Sequence, residues 1–421
     1  MIPQSDLPPA ACGCDTQAGK LTSLDVALER GLKMATPVAQ VEDVGLINSI
    51  GRVLAKDAKS PIPLPPFDNS AMDGYLLRTA DLDGDGPWTL TITGRIAAGD
   101  AGQATPVAGT TLRILTGAPV PDGFDAVVMQ EDCDVQNNTI TFASKPSVQQ
   151  HIRPKGGDAA IGQIVVPAGA IIGPRQAGAL SAIGAGTVTV RRKLRVAIFS
   201  TGSELVQPGQ PLGAGQIWNS NRYTLLSLLK KDWIEVVDLG AIPDQPALLK
   251  TVLAEACAGC DMVVTTGGVS VGDEDHMPRL FEEAGGKMQV MKVAIKPGKP
   301  ITFGTLDHAI FVGLPGNPVS AFVTWLVIGA KILEKRAGIA PQSGGQMQVC
   351  VASPIERRAG RIEFRPARYV QDPSGQIPQV ELLSPEFSGR VALLSMADGL
   401  VVIPADSHGV KQGEMLEFIP L

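Results

Sequence analysis

Histidine and aromatic residues are scarce in this chain. Only four histidines occur in 421 residues, and His151, His276, His308 and His408 are scattered. That scatter gives little support to a Ser-His-Asp hydrolase or a histidine-ligated metal enzyme. Aromatic residues make up 4%, too few for the stacking platforms that grip single-stranded nucleic acid. Basic charge is not in excess, and the formal net charge is −6. A general nucleic-acid binder needs a basic footprint, so no nucleic-acid partner is expected, although a local pocket for a small anion is allowed. No apolar run reaches the roughly 18 residues of a membrane span, and the longest candidate, Ala321 to Ile332, is too short. The first residues, with Pro8, Pro9 and Cys12-Gly13-Cys14-Asp15, have neither a basic n-region nor an apolar h-region. A cytoplasmic location is expected. Six cysteines do not make a disulfide framework. Cys257 and Cys260 have CxxC spacing but lack a second ligand pair, and read as an ordinary helix end.

What is present is a soluble globular composition, 44% hydrophobic and 19% charged. The length suggests roughly three domains. Leu21 to Met34 reads as a helix, with Leu21, Leu24, Ala27, Leu28 and Leu32 at helical spacing and Thr22 or Ser23 as cap. A second helix is expected from about Val41 to Val53. Pro61, Pro63, Pro65 and Pro66 then enforce an extended segment. From Trp88 to Phe142, short β-type runs between Gly and Pro suggest a small inserted β domain. Val188 to Val190 reads as a strand.

From Arg191 the pattern becomes α/β. Strands are expected at Leu194–Phe199, Ile234–Leu239, Asp261–Thr265 and Ala309–Gly313. Helices are expected at Thr224–Lys231, Gln245–Cys257, Met277–Ala284 and Asn317–Lys335. Alternation of this kind predicts a parallel sheet with helices on both faces, and ligands at the carboxyl ends of its strands. The last 80 or so residues return to short strands, as in a small all-β domain. The fold expected is multidomain, α/β plus β. Its divisions are 1–60 with 161–190, an inserted β domain at 61–160, an α/β domain at 191–336 and a C-terminal β domain at 337–421.

Three loops follow strands of the α/β region: Ser200-Thr201-Gly202-Ser203-Glu204, Thr265 to Gly272, and Gly313 to Ser320. Each sets glycine beside Ser, Thr or Asn just before a helix, where backbone N–H groups favour an anion. They match neither a Walker A loop nor the dinucleotide fingerprint. Glu204, Asp244 and Asp273 to Asp275 lie on the same edge, and carboxylates beside an anion site suggest a divalent cation bridging to phosphate. The same acids also suit helix N-termini. Lys296-Pro297-Gly298-Lys299-Pro300 holds two lysines on a stiffened turn, suited to a small oxyanion. Phe67-Asp68-Asn69-Ser70-Ala71-Met72-Asp73-Gly74-Tyr75 is too dense in specific polar residues for packing alone. Arg113 to Pro121 reads as a strand and turn.

In this order, FDNSAMDGY, RILTGAPVP with AVVMQE, STGSEL, IWNSN, TTGGVSVGDED, KPGKP and GLPGNPVS resemble the molybdopterin molybdenumtransferase family, the MoeA and gephyrin E-domain group. The resemblance runs from about Leu21 to the C-terminus. The TTGGVS loop alone is also similar to the molybdopterin adenylyltransferase fold and to competence-damage-type domains. The family resemblance implies a MoaB/MogA-like molybdopterin-binding domain within an elongated four-domain homodimer. It implies insertion of molybdate into the dithiolene of adenylylated molybdopterin with release of AMP, assisted by magnesium. The active site is implied to lie between subunits, with the FDNSAMDGY segment facing the partner's α/β domain. Transient contact with a molybdopterin adenylyltransferase and with acceptor molybdoenzymes is also implied.

By motif, the resemblance carries catalytic roles to Asp73, Thr116, Asp158, Glu204, Asp244 and Asp275, with Asp244 and Asp275 as metal ligands. Ser270, Lys296, Lys299, Pro300, Asn317, Ser320 and Ser388 are implied to bind substrate, the lysines on molybdate. Three positions depart from the family pattern. Gly157 stands where a Glu is usual, Asp398 where an Asn is usual, and Pro366 disturbs the register of an expected arginine, leaving Arg365 or Arg368. The alternative readings are a molybdopterin adenylyltransferase and a non-catalytic cofactor carrier or scaffold.

Overall fold

A computed structural model describes residues 21–267, 277–341, 347–370, 377–384 and 388–421. These form two compact units. One comprises residues 42–50 and 54–190; the other takes the described residues up to 41, residues 51–53, and those from 191 onward.

The first unit contains a six-stranded sheet in the order Ala126–Met129, Gly74–Leu77, Thr110–Ile114, Trp88–Ile96, Thr139–Phe142, Asp134–Gln136. Apolar residues cover both faces. Tyr75, Leu77, Leu90, Ile140 and Phe142 pack on one side, and Leu76, Ile114 and Val127 on the other. Gly74–Leu77 is therefore buried throughout, which explains its unbroken apolar run. A second core gathers Leu54, Val166, Ile172, Leu180 and Val190.

The helix expected from Val41 to Val53 is not there. Val41–Gly45 is a strand and Leu46–Ser49 a single 3-10 turn. The strand pairs with Thr187–Arg191, and Thr189 Oγ1 donates to Asp43 Oδ1 at 2.6 Å. Pairing with a partner some 140 residues away overrode a weak local helical pattern.

The second unit holds the α/β sheet. Its strands are β1 (Leu194–Thr201), β2 (Ile234–Ile242), β3 (Met262–Thr266), β4 (Lys287–Lys292), β5 (Pro300–Leu306) and β6 (Ala309–Leu314), in the order β2-β1-β3-β6-β5-β4. β2, β1, β3 and β6 are parallel. β5 runs antiparallel to β6 and to β4, so the sheet is mixed rather than wholly parallel. The reason is local: β5 and β6 are joined by the tight turn at Asp307 (φ 52°), which permits only a hairpin. Helices α1 (Ser220–Leu229), α2 (Pro246–Gly259), α3 (Met277–Glu283) and α4 (Pro318–Thr324) connect or flank these strands. Cys257 and Cys260 are buried at the end of α2, and burial pushes the Cys257 thiol up to about 12, as suits an inert packing residue. α4 continues through a π turn, Trp325–Gly329, into Ala330–Arg336. The helix Leu24–Met34, capped by Ser23, packs with Gly31 directly against Ile332.

Beyond Arg336 five strands close into a barrel. Ile362–Val370, Gln379–Leu382, Met347–Val351, Met415–Pro420 and Gly399–Ile403 follow one another, and the last pairs back onto the first. Val349, Val351, Ala367, Val401, Ile403 and Phe418 fill it. Closure leaves few edges to protect. The two-residue strand Ile295–Lys296 joins this barrel in parallel to Ile362–Glu363. It is the splice that carries the lysine turn from the α/β sheet to the barrel wall. Among the described residues no helix is long and apolar enough to cross a membrane.

Candidate functional site

The polar segment Phe67–Tyr75 is stapled by backbone hydrogen bonds. Ser70 N donates to Ala118 O, and Gly117 N donates to Ser70 O at 2.8 Å. The Ser70 hydroxyl is fully buried and closes the bend by donating to Met72 O at 2.6 Å. This fixes Asp73 opposite the turn after Thr110–Ile114. Thr116 N and Thr116 Oγ1 both donate to Asp73 Oδ1, each at 2.7 Å. The Thr116 backbone N–H, and then its hydroxyl, hold the Asp73 carboxyl below its ordinary value. At the other end of the segment Lys155 N donates to Asp68 Oδ1, and Asp158 N donates to Leu64 O just before it. The Asp158 side chain is exposed.

In the α/β unit three loops meet at the carboxyl edge. Ser200 lies opposite Thr266, and Thr266 opposite Leu314. Gly267 has a positive φ of 84°, and a Cβ there would stand 2.5 Å from Thr201 O. Only glycine lets these two loops touch. Thr266 Oγ1 donates to Ser200 Oγ at 3.0 Å, and Asn221 Nδ2 donates to Gly316 O at 2.7 Å. Asn219 Oδ1 caps α1 by accepting from Arg222 N. Its own amide, 4% exposed as a residue, leaves Nδ2 buried and without a partner among the described residues, as is Thr201 Oγ1. Unpartnered buried polar atoms at a strand edge are what a polar ligand would satisfy. Ser203 N donates to Asp244 Oδ2 at 3.3 Å, and Glu204 is exposed on the same loop. Among the described residues no three or more His, Cys, Asp or Glu side chains converge on one point.

The turn Lys296–Pro300 is held from both sides. Gly298 (φ 108°) leaves only 2.4 Å between a would-be Cβ and Thr324 Oγ1. Val293 N donates to Lys299 O at 2.7 Å, and Val319 N to Ser388 O at 3.1 Å. Ser320, buried on α4, supplies the carbonyl nearest Gly298. Lys296 Nζ lies 3.4 Å from Glu363 Oε1, a fully buried carboxylate that also accepts from Arg365 Nη2 at 2.6 Å.

Three family models match, in chain order. They are the MoeA N-terminal region (domain I and II) over residues 22–184, a "Probable molybdopterin binding domain" over 197–335, and the MoeA C-terminal region (domain IV) over 348–421. The molybdopterin molybdenumtransferase of Haemophilus influenzae is 36% identical over 402 residues, covering 95% of this chain and 98% of that protein. The chain belongs to the molybdopterin molybdenumtransferase family. A second relative, molybdopterin molybdenumtransferase 2 of Mycobacterium tuberculosis, is 34% identical over 382 residues, 89% of this chain and 93% of that one. The crystal structure of the molybdopterin biosynthesis moeA protein of Pyrococcus horikoshii OT3 superposes with a TM-score of 0.81 at 28% identity, covering 96% and 100% of the two chains.

Membership makes the chain a transferase and accounts for its multidomain α/β-plus-β fold. Against the family motifs, the structure pairs Asp73 with Thr116 and ties the Asp158 backbone to Leu64, in the proline run before that segment. It gathers Glu204, Asp244 and Asn317 at the loops of the α/β edge, and Lys296, Lys299, Pro300, Ser320 and Ser388 around the cationic turn. Ser270 and Asp275 lie outside the described residues. Of the two arginines left open, Arg365 is 2% exposed and shares Glu363 with Lys296. Arg368 faces Glu381 across the barrel wall at 3.6 Å and is half exposed. Sequence reasoning missed two residues. Asn219 stands inside the IWNSN motif but was not singled out, and Glu363 stands one place before Phe364 with nothing local to mark it.

Proposed function

We propose that this chain inserts molybdate into the dithiolene of adenylylated molybdopterin and releases AMP. The observation that carries this reading is the Lys296–Pro300 turn, two lysines on a backbone locked by Gly298, beside the buried Glu363 and Arg365. Molybdate is a tetrahedral dianion, and fixed ammonium and backbone N–H donors match it. The carboxyl edge of the α/β sheet, with Asn219 Nδ2 and Thr201 Oγ1 unpartnered, takes the pterin nucleotide. Asp73, Thr116 and Asp158 act on the substrate through the stapled loop, and Glu204 with Asp244 flanks the phosphates. Ser270 and Asn317 contribute donors from their loops.

Glu204 and Asp244 are exposed carboxylates on adjoining loops, joined by the Ser203 N–H, and their oxygens suit a hard divalent cation. Asp244, with Asp275, would hold magnesium, which when bound neutralises phosphate charge. The protein works in the cytoplasm as a homodimer. It meets a molybdopterin adenylyltransferase and the acceptor molybdoenzymes transiently.

The test supplies purified protein with either of two mixtures: molybdopterin plus ATP, or adenylylated molybdopterin plus molybdate. Molybdenum-loaded cofactor from the second alone is the expected result. Adenylylation in the first mixture would identify an adenylyltransferase. Tight retention of the adenylylated compound without conversion would identify a carrier.

A further inference from the structure

We propose that Glu363 is a positioning residue for the oxyanion, fixing Lys296 and Arg365 so that a tetrahedral dianion docks at the open end of their cluster. This rests on the molybdate-insertion reading above. The register is set by the backbone. Ile295–Lys296 runs parallel to Ile362–Glu363, with Lys296 directly beside Glu363. Glu363 is completely buried. Its Oε1 accepts from Arg365 Nε at 2.9 Å and Nη2 at 2.6 Å, and stands 3.4 Å from Lys296 Nζ. Its Oε2 faces Arg357 Nε at 3.5 Å.

A purely structural ion pair would be balanced. Here, among the described residues, three cations surround one carboxylate, an excess of two positive charges. The two guanidiniums are 3% exposed, whereas Lys296 is 35% exposed, so the excess opens to solvent only at the lysine. Arg357 is already committed to the carbonyls of Ile403, Pro404 and Arg361. Uncompensated buried charge is costly, and a dianion at the lysine end would neutralise the cluster. The same carboxylate orients the ammonium and holds the Arg365 plane, so the donors are fixed before the oxyanion arrives.

Equilibrium dialysis of the whole protein against molybdate, with bound molybdenum read by elemental analysis, tests this without requiring turnover. Glu363→Gln is expected to weaken molybdate binding at least tenfold. Glu363→Asp, which keeps the charge but shortens its reach, is expected to recover part of that loss. In a Lys296→Met background, Glu363→Gln should cost less than it does in the wild type, because part of the carboxylate's effect runs through the lysine and the rest through Arg365. Should Glu363→Gln fail to fold, Glu363→Asp alone decides, with a loss of threefold or more expected. Unchanged binding in the folded Glu363 variants, fully multiplicative losses in the double variant, or a wild-type protein that binds no molybdate would overturn the proposal. Binding that depends on Glu363 in a protein without molybdate-dependent turnover would uphold it and overturn the insertion reading instead.

Discussion

At the scale of single residues, the site depends on groups whose charge and direction are set by short-range partners. Lys299 is expected to matter through its ammonium, since its carbonyl is already used by Val293 N. A hydrogen bond to a charged group contributes about 1.5–3 kcal/mol, so Lys299→Ala should cost about ten- to a hundredfold in kcat/KM for molybdate while leaving the fold intact. Steady-state kinetics with thermal melting checks this. Asp73 is held ionised by the N–H and hydroxyl of Thr116, so its carboxyl should titrate below the usual value of about 3.9. Thr116→Val removes only the hydroxyl and should move that titration part of the way back, as followed by carboxyl carbon resonances. Most of these residues could be named from the sequence, because motifs state identity. Their partners could not. Nothing in the string shows that Glu363 lies beside Lys296, or that Arg365 rather than Arg368 turns inward, since both facts depend on strand pairing across the chain.

At the scale of elements, glycine positions and buried ion pairs decide whether the loops hold their places. A Cβ on Gly74 would stand 2.0 Å from Val128 O, inside the fully buried Gly74–Leu77 strand. Gly74→Ala should therefore lower stability by about 1–3 kcal/mol, measured by urea unfolding, and should disturb Asp73, the next residue. Asp261 opens β3, and Arg192 donates to it at 2.7 Å through both Nη atoms. Burial pushes this carboxyl up, but Arg192, the Arg195 N–H and Arg336 together pull it below its ordinary value. A depressed carboxylate contributes stability that is present above its unfolded value and lost as pH falls through the folded value. Asp261→Asn should remove about 3 kcal/mol and flatten the acid limb of the stability profile. The α/β elements were readable because each has its own period and punctuation, as in Pro246 at the start of α2. The Val41–Gly45 strand and the antiparallel pairing of β5 with β4 and β6 were not, because that pairing is set by tertiary contact and by one turn.

At the scale of the whole molecule, seven motifs in a fixed order gave more than any one of them could. The glycine loops alone pointed only to an anion at the carboxyl edge of a sheet. Their order, together with a relative 36% identical across 95% of the chain, settles the family. The closed barrel beyond Arg336 was legible only as short strands, since closure depends on Gly399–Ile403 returning to Ile362–Val370. That return sets the wall on which Glu363 and Arg365 meet the lysine turn, so the barrel fixes the surroundings of that turn. One reaction decides the proposed function. With protein far below substrate and magnesium present, AMP released from adenylylated molybdopterin should rise with molybdate over many turnovers and stay near background without it. Release that ignores molybdate, or that stops at one equivalent per chain, would contradict the account.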